Sequence, residues 1–488
     1  MLQDMTCNLG CNTKVLRIER CTALGGLASC SACTEDIELE KEMNELPIRI
    51  EKIHIRRRAL RTVMNANHDH LIHKFPPEIA SHIFIQYAPP SACFDEKDRS
   101  RPLSLGAVCQ EWRQLAWATP QLWSSLSVRF QHNKEYPSQC IAAWLERSAS
   151  LPLTIRFEAN PRGDKSNGHH EVINILNEHS ARWHDVYFDL PSNSLRRLCG
   201  SSQKNILRRL ALRHPFSPFT GDFSTFSMRS KPSPTDLTLR SVDLSYVDIL
   251  WNNLTVASIC RTRADECVEL IRRAPLLEAL TLQAVDSSSG VFPFPNTRIV
   301  RPHLRSLETS KMWEETAVAE ILDSVCLPSL EQWIHDQSPF HSCCPLSSMV
   351  SFMGCLSSGL KIFKLNIDRV DCHQVIGLLC NLPSLESLEL RITSGPHPTD
   401  EFLHLLCASA QSLLFLPRLQ SLEFLYSRSF AWESLPQIFV LPRWRSLRVK
   451  VSNIFGKTND IQDETARLLL ELVDKGFHLE IVIDDNDT

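Results

Sequence analysis

The sequence predicts an α/β chain in two parts: a small N-terminal helical module near residue 75, then a curved solenoid of strand–helix repeats. Three observations carry this. The apolar pattern Leu-x-x-Leu-x-Leu recurs along the second half of the chain. Pro275, Pro328, Pro383 and Pro417 stand just before copies of it, where a returning helix has to stop. Ahead of the array, residues 71–126 hold two short amphipathic helices bounded by prolines.

The bulk numbers agree with a multi-part chain. At 488 residues it exceeds the roughly 250–300 at which one core usually divides. Hydrophobic residues are 43% and charged residues 22%, an ordinary globular balance. The net charge is -4, so there is no basic footprint and no nucleic-acid partner is expected. No apolar run reaches the roughly 18 residues of a membrane span, so no membrane is expected either. Met1-Leu2-Gln3-Asp4 lacks the basic-then-apolar opening of a signal peptide. The cytoplasm, the nucleus or both are expected, with the 18 cysteines as free thiols.

Residues 1–36 read as a disordered tail containing Cys7, Cys11, Cys21, Cys30 and Cys33. Cys7 and Cys11 with the Cys30-x-x-Cys33 pair have the count for zinc. The first pair is spaced by three residues and no supporting pattern surrounds it, so no metal is expected. Residues 37–70 read as an amphipathic helix. Leu39, Met43, Leu46, Ile50, Ile53, Arg57, Leu60 and Met64 follow steps of 4 and 3, one helical stripe. Pro47 suits a first turn, which predicts a helix starting near it. At most three heptads then remain. That favours packing of the helix on its own chain over self-association through residues 46–64, which stays the alternative.

Residues 71–126 form the helical module. Phe75-Pro76-Pro77-Glu78 opens a helix with proline and an acid in its first turn, and Ile79, Ile83 and Phe84 give it an apolar stripe. After the polar loop Asp95-Glu96-Lys97-Asp98-Arg99, the residues Leu105, Val108, Trp112, Leu115 and Ala116 fall on one face of a second helix, with Cys109 beside them. Thr119-Pro120 is a break, and Leu126-Ser127-Val128 is strand-like. So few short helices bury little by themselves and call for a partner surface.

These residues resemble the F-box. Its elements are matched by Pro76-Pro77-Glu78-Ile79, by Ile83-Phe84, and by a helix Val108-Cys109-x-x-Trp112-x-x-Leu115, with Phe75 where the family usually has leucine. The long connecting loop and the stretch Thr119-Pro120-Gln121-Leu122-Trp123-Ser124-Ser125-Leu126 are similar to the F-box form abundant in mushroom-forming fungi. The resemblance covers about residues 45–130.

Residues 127–488 are the repeating part. Leu207, Leu277 and Leu385 each open a full Leu-x-x-Leu-x-Leu copy. Degenerate copies open at Leu304, Leu330, Leu360, Leu419 and Trp444. From Leu277 onward the copies start 25 to 34 residues apart, in or near the period of leucine-rich repeats, which the region resembles. Each copy is a short strand with alternate side chains pointing inward, joined by helices such as residues 266–273. One such unit cannot bury its apolar face alone, so neighbours stack. Trp183-His184-Asp185-Val186-Tyr187-Phe188 reads as a further strand near the start of the array.

Catalytic signatures are missing. Gly456-Lys457-Thr458 follows Val451 where a phosphate-binding loop needs glycine, His169-His170-Glu171 is followed by Asn174 rather than histidine, and no Gly-x-Ser-x-Gly occurs. His68, Asp69, His70 and His73 suit neither a helix face nor a known metal finger. Cys343-Cys344 and Asp484-Asp485 suggest packing and an exposed end. No enzyme activity, cofactor or metal is expected.

The F-box resemblance implies a substrate-recognition adaptor of an SCF-type (Skp/cullin/F-box) E3 ubiquitin ligase. Phe75, Pro76, Pro77, Glu78, Ile79, Ile83, Phe84, Leu105, Val108, Cys109, Trp112 and Leu115 would form the docking and core face toward a Skp-type adaptor and its cullin ligase core. The repeats would capture a substrate protein. The alternative is an interaction scaffold outside the ubiquitin system, whose box-like helices only cap the solenoid.

Overall fold

In the computed structural model the described residues are 30–68, 71, 74–89, 101–130, 138–159, 168–214, 226–312, 314–337, 345–356, 359–367, 372–392, 398–426, 430, 432–440, 444, 446–453 and 461–483. Cys7, Cys11, Cys21, Asp69, His70, His73, Cys343, Cys344, residues 95–99, Gly456-Lys457-Thr458 and Asp484-Asp485 lie outside them. The chain divides into two compact units, Met1–Ile83 with Ser104–Leu115, and Phe84–Leu103 with Ala116–Thr488. The sequence-based boundary between residues 126 and 127 is not where this division falls.

The smaller unit begins with a 38-residue helix, α1 (Ser31–His68), that carries Pro47 in its interior. This corrects two expectations. Residues 31–36 are helical rather than tail, and the helix runs through Pro47 instead of starting there. Its first turn is held by the Thr34 N–H and hydroxyl, which both donate to the Cys30 carbonyl at 3.0 and 3.1 Å. Proline removes one rung of the ladder, yet the flanking turns continue. The packing expected of this helix is not seen among the described residues: Leu39, Met43, Leu46, Ile50, Ile53, Leu60 and Met64 are each 50–69% exposed.

Three short helices follow along the chain, α2 (Pro77–Tyr87), α3 (Arg101–Val108) and α4 (Gln110–Trp117), each divided between the two units. The single helix expected from Val108 to Leu115 is broken at Cys109. The Cys109 sulfur accepts the Trp112 N–H at 3.4 Å, the place a side-chain oxygen takes in an ordinary N-cap. Its carbonyl accepts the Arg113 N–H at 3.1 Å, and the Arg113 Nε donates to the Gly106 carbonyl at 2.8 Å.

The larger unit is built on one open sheet of fourteen strands. These are β1 (Ser125–Phe130), β2 (Leu153–Ala159), β3 (Trp183–Asp189), β4 (Arg209–Arg213), β5 (Asp236–Arg240), β6 (Val256–Arg263) and β7 (Ala279–Asp286). They continue with β8 (Ser306–Met312), β9 (Gln332–Gln337), β10 (Ile362–Ile367), β11 (Ser387–Ile392), β12 (Ser421–Tyr426), β13 (Arg448–Asn453) and β14 (Leu479–Ile483). Every neighbouring pair is parallel and the strands lie in chain order. All eight leucine-pattern copies fall on strands β4 and β7–β13, and the opening residue of each copy is buried.

Parallel strands need a crossover, and most connections supply a helix. These are α5 (Ser138–Arg147), α6 (Gly168–Glu178), α7 (Ala264–Arg273), α8 (Glu315–Ser324), α9 (Leu346–Met353), α10 (Cys372–Leu379), α11 (Pro398–Ser409) and α12 (Asp463–Asp474). Helices α7 to α11 touch one another in sequence, as do α5 and α6. The two strand faces differ in chemistry. One inward row runs in register through Leu210, Leu237, Ala257, Leu280, Leu307, Trp333, Phe363, Leu388 and Leu422. A second row, two residues on, includes Phe157, Phe188, Leu282 and Leu390, and all of these belong to one continuous core.

A column of left-handed residues crosses four neighbouring repeats. Ser241, Arg261, Ala284 and Lys311 have φ between 52° and 59°. The residues just before them, Arg240, Cys260, Gln283 and Ser310, are register partners. One extra residue resets the alternation of the strand. Thr262, Val285 and Met312 therefore turn inward and are buried.

Two of the buried ionisable groups have opposite consequences. His335 takes an inward position in the second row beside Thr309, whose hydroxyl lies 2.8 Å from its Nδ1, while the Trp333 indole N–H donates to Thr309 at 3.3 Å. Burial lowers the His335 pKa to about 4. Glu266 opens α7, where it accepts the Leu244 N–H at 3.1 Å and the Thr262 hydroxyl. Burial pushes its carboxyl up to about 7. Its neighbour Asp265 accepts the Ser289 and Phe292 N–H groups at 3.2 and 3.1 Å. Successive acids on one helix thus tie the preceding and the following loops.

The signs of the two linkages differ. A histidine depressed from 6.5 to about 4 keeps its contribution above pH 6.5 and loses it as pH falls toward 4. A carboxyl raised from 4.5 to about 7 contributes fully below pH 4.5 and loses its contribution as pH rises through 7. The two effects oppose each other between roughly pH 4.5 and 6.5, each on the order of 3 kcal/mol. His335→Leu should remove the acid-side loss and Glu266→Gln the loss toward neutral pH, both visible in Tm measured from pH 4 to 8. A second test concerns Gly359, which has φ +82° and whose added Cβ would collide with the Ser384 side chain. Gly359→Ala should cost about 2–4 kcal/mol, read by chemical unfolding.

Candidate functional site: an exposed apolar stripe near residue 80

Helix α2 is opened by two prolines with different jobs. The Pro76 carbonyl accepts the N–H groups of Ile79 and Ala80 at 3.0 and 3.1 Å. Pro77 is the first helical residue, where no N–H partner is needed. Glu78 lies in the first turn, against the positive end of the helix dipole. Pro76, Pro77 and Glu78 are all exposed.

The helix carries two apolar stripes, Ala80 with Phe84 and Ile79 with Ile83, about 100° apart around its axis, and Ala88 and Phe75 lie just outside its ends. Ala80, Phe84 and Ala88 are spaced by four and buried. Phe75, Ile79 and Ile83 are also spaced by four, and they are 46%, 48% and 40% exposed. On α3, Leu105 is buried and Val108 exposed. Cys109, Trp112 and Leu115 are partly buried.

The twelve sequence-derived site residues therefore separate. Phe84 and Leu105 lie in the interior and are not available for docking. Phe75, Ile79, Ile83 and Val108 present hydrocarbon to solvent. Several large apolar residues exposed on one helix face mark a contact surface more often than a single exposed leucine does. Sequence reasoning also missed Leu103, exposed on α3; its signal was an apolar residue set off the predicted buried face.

Beyond these helices, Trp123 is fully buried and donates its indole N–H to the Ala116 carbonyl at 2.7 Å. It meets Trp144 edge-to-face at 4.8 Å, and Arg147 lies 4.4 and 4.9 Å from the rings of Trp117 and Trp123. This cluster anchors the segment before β1, and its Trp123 is the tryptophan of the Thr119–Leu126 stretch.

The sheet offers a second surface, the polar side of its strands. Charges there are paired across neighbouring strands at matching register. Arg209 reaches Asp185 at 2.5 Å, Arg129 reaches Glu158 at 2.6 Å, and Lys450 reaches Glu423 at 2.8 Å. Lys364 pairs with Glu389 in the same way. Asp185, aided by a hydrogen bond, pushes the Arg209 pKa upward, whereas burial raises that of Asp189 despite Arg213. Thr238, Ser258 and Thr281 stand as uncharged hydroxyls in the row of Lys364, Glu389, Glu423 and Lys450, whereas Arg209–Asp185 and Arg129–Glu158 lie in the outward rows two residues to either side. In the sequence these pairs are legible only as polar residues between the leucines.

No three of His, Cys, Asp or Glu among the described residues converge as metal ligands. Of the His169-His170-Glu171 run, His170 is partly buried at the start of α6, its pKa lowered by burial and Arg197. No helix of the described residues is long and apolar enough to cross a membrane. Neither protein-family models nor curated proteins give a significant match to this chain.

Ile79→Asp and Ile83→Asp should each shift Tm by less than about 2 °C, as exposed positions do. Phe84→Ala should cost about 3–5 kcal/mol as a buried aromatic. Differential scanning calorimetry of the three variants checks the assignment.

Proposed function

We propose that this chain is a non-catalytic adaptor that carries a protein substrate to an SCF-type ubiquitin ligase. The observation that carries the reading is the exposure of Ile79 and Ile83 on a helix whose neighbouring Ala80 and Phe84 are buried, with Phe75 exposed just before it. These are residues at which the sequence resembles the F-box. A Skp-type adaptor with an apolar groove would cover them, in the manner of a helix laid into a groove. Cullin and the charged ubiquitin-conjugating enzyme follow from that docking.

The parallel strands, in chain order with helices between them, are read as a curved leucine-rich-repeat-like solenoid. Its polar strand face would hold the substrate. The chain itself performs no bond chemistry. It raises the effective concentration of substrate lysines beside the loaded enzyme.

The test is capture of a purified Skp-type adaptor by the full chain. Wild type should bind, and Ile79→Asp/Ile83→Asp should weaken binding at least about 100-fold, since two buried side chains are worth roughly 1.5–3 kcal/mol each. Binding that survives this double substitution overturns the docking assignment. A wild-type chain that ignores the adaptor leaves the scaffold reading, in which these helices only cap the repeats.

A further inference from the structure

We propose that α1 is a self-association element, pairing antiparallel with α1 of a second copy of this chain. The stripe Leu39, Met43, Leu46, Ile50, Ile53, Leu60 and Met64 is exposed along its whole length. Because the helix passes through Pro47, eight heptad positions are continuous over about 38 Å, enough for a two-stranded seam. Ile37, Ile48 and Ile55 fall off the stripe and stay solvated.

Charge selects the occupant and its direction. Between Glu35 and Glu45 six acids stand against one base, Lys41; between Arg49 and Arg61 six bases stand against one acid, Glu51. All are exposed. A parallel pair would stack acid on acid and base on base. An antiparallel pair lays each acidic half along the partner's basic half, so the helix is complementary to itself.

The register closes without a gap. Centred between Glu51 and Lys52, the pairing sets Leu39 across from Met64, Met43 from Leu60, and Ile50 from Ile53. Arg57, the one charged seam position, falls across from Leu46 beside Glu42 and Glu45. Glu40 flanks Arg61. Arg49 beside Arg56 is the one unfavourable flank. Pro47 takes a flanking position, so its ring stays out of the seam.

Sedimentation velocity of the full chain tests this. Wild type should be dimeric at about 10 μM, with a dissociation constant that rises at least about tenfold from 0.05 to 0.5 M NaCl. Leu46→Asp/Ile53→Asp should be monomeric with an unchanged Tm. A reversal variant, E38K/E40K/E42K/R56E/R58E/R61E, should dimerise with itself and refuse mixed dimers with wild type. A wild type that stays monomeric to about 100 μM overturns the proposal. So does a dimer that survives Leu46→Asp/Ile53→Asp, or mixed dimers between reversal and wild type, which only a parallel pair would form.

Discussion

Two rows of inward side chains, held in phase from strand to strand, are the constraint on which the larger unit depends. In a parallel sheet with one apolar face, a slip of one residue turns every leucine toward water. The penalty grows with each strand already aligned, so fourteen strands enforce one another's register. The left-handed column at Ser241, Arg261, Ala284 and Lys311 belongs to the same constraint. It appears in neighbouring repeats at one height because a bulge in a single strand would put its end out of step with the next.

Much of this was legible in the residues. Leu-x-x-Leu-x-Leu names its own strand, because the second and third leucines are the inward pair and the first closes the turn before it. Strands β2, β5, β6 and β14 escaped notice for the same reason. Leu153-x-Ile155-x-Phe157 and Leu237-x-Leu239 alternate correctly but lack the leading leucine, and Ala257 is too small to stand out. The bulge column could not be read, since none of its members is glycine or asparagine, the residues that signal a positive φ. In the smaller unit, Pro47 misled because proline propensity was weighed without the helical sequence on both sides. The break at Cys109 was invisible because sulfur is not among the usual capping atoms.

The smaller unit shows the opposite economy of burial. Its helices hide Ala80 and Leu105 and leave large apolar residues in water, on α1 as well as α2. The larger unit hides four tryptophans almost completely, Trp123, Trp183, Trp333 and Trp444. Such a contrast within one chain separates a part that buries its large apolar side chains from a part that leaves them exposed. For the candidate site, the sequence identified the helices and most of their residues. It could not divide them into interior and exterior, because stripes only about 100° apart on one helix are both apolar in the linear text.

The imidazole of His335 and the hydroxyl of Thr309 occupy facing places in a row that is otherwise hydrocarbon. Shuffle the repeats, and the histidine would meet a leucine with nothing to offer its ring nitrogen. Repeat arrays can lengthen or shorten by duplicating a unit when units are interchangeable. Here β8 and β9 are a matched lock and key, so the array can vary in length on either side of this junction but not across it.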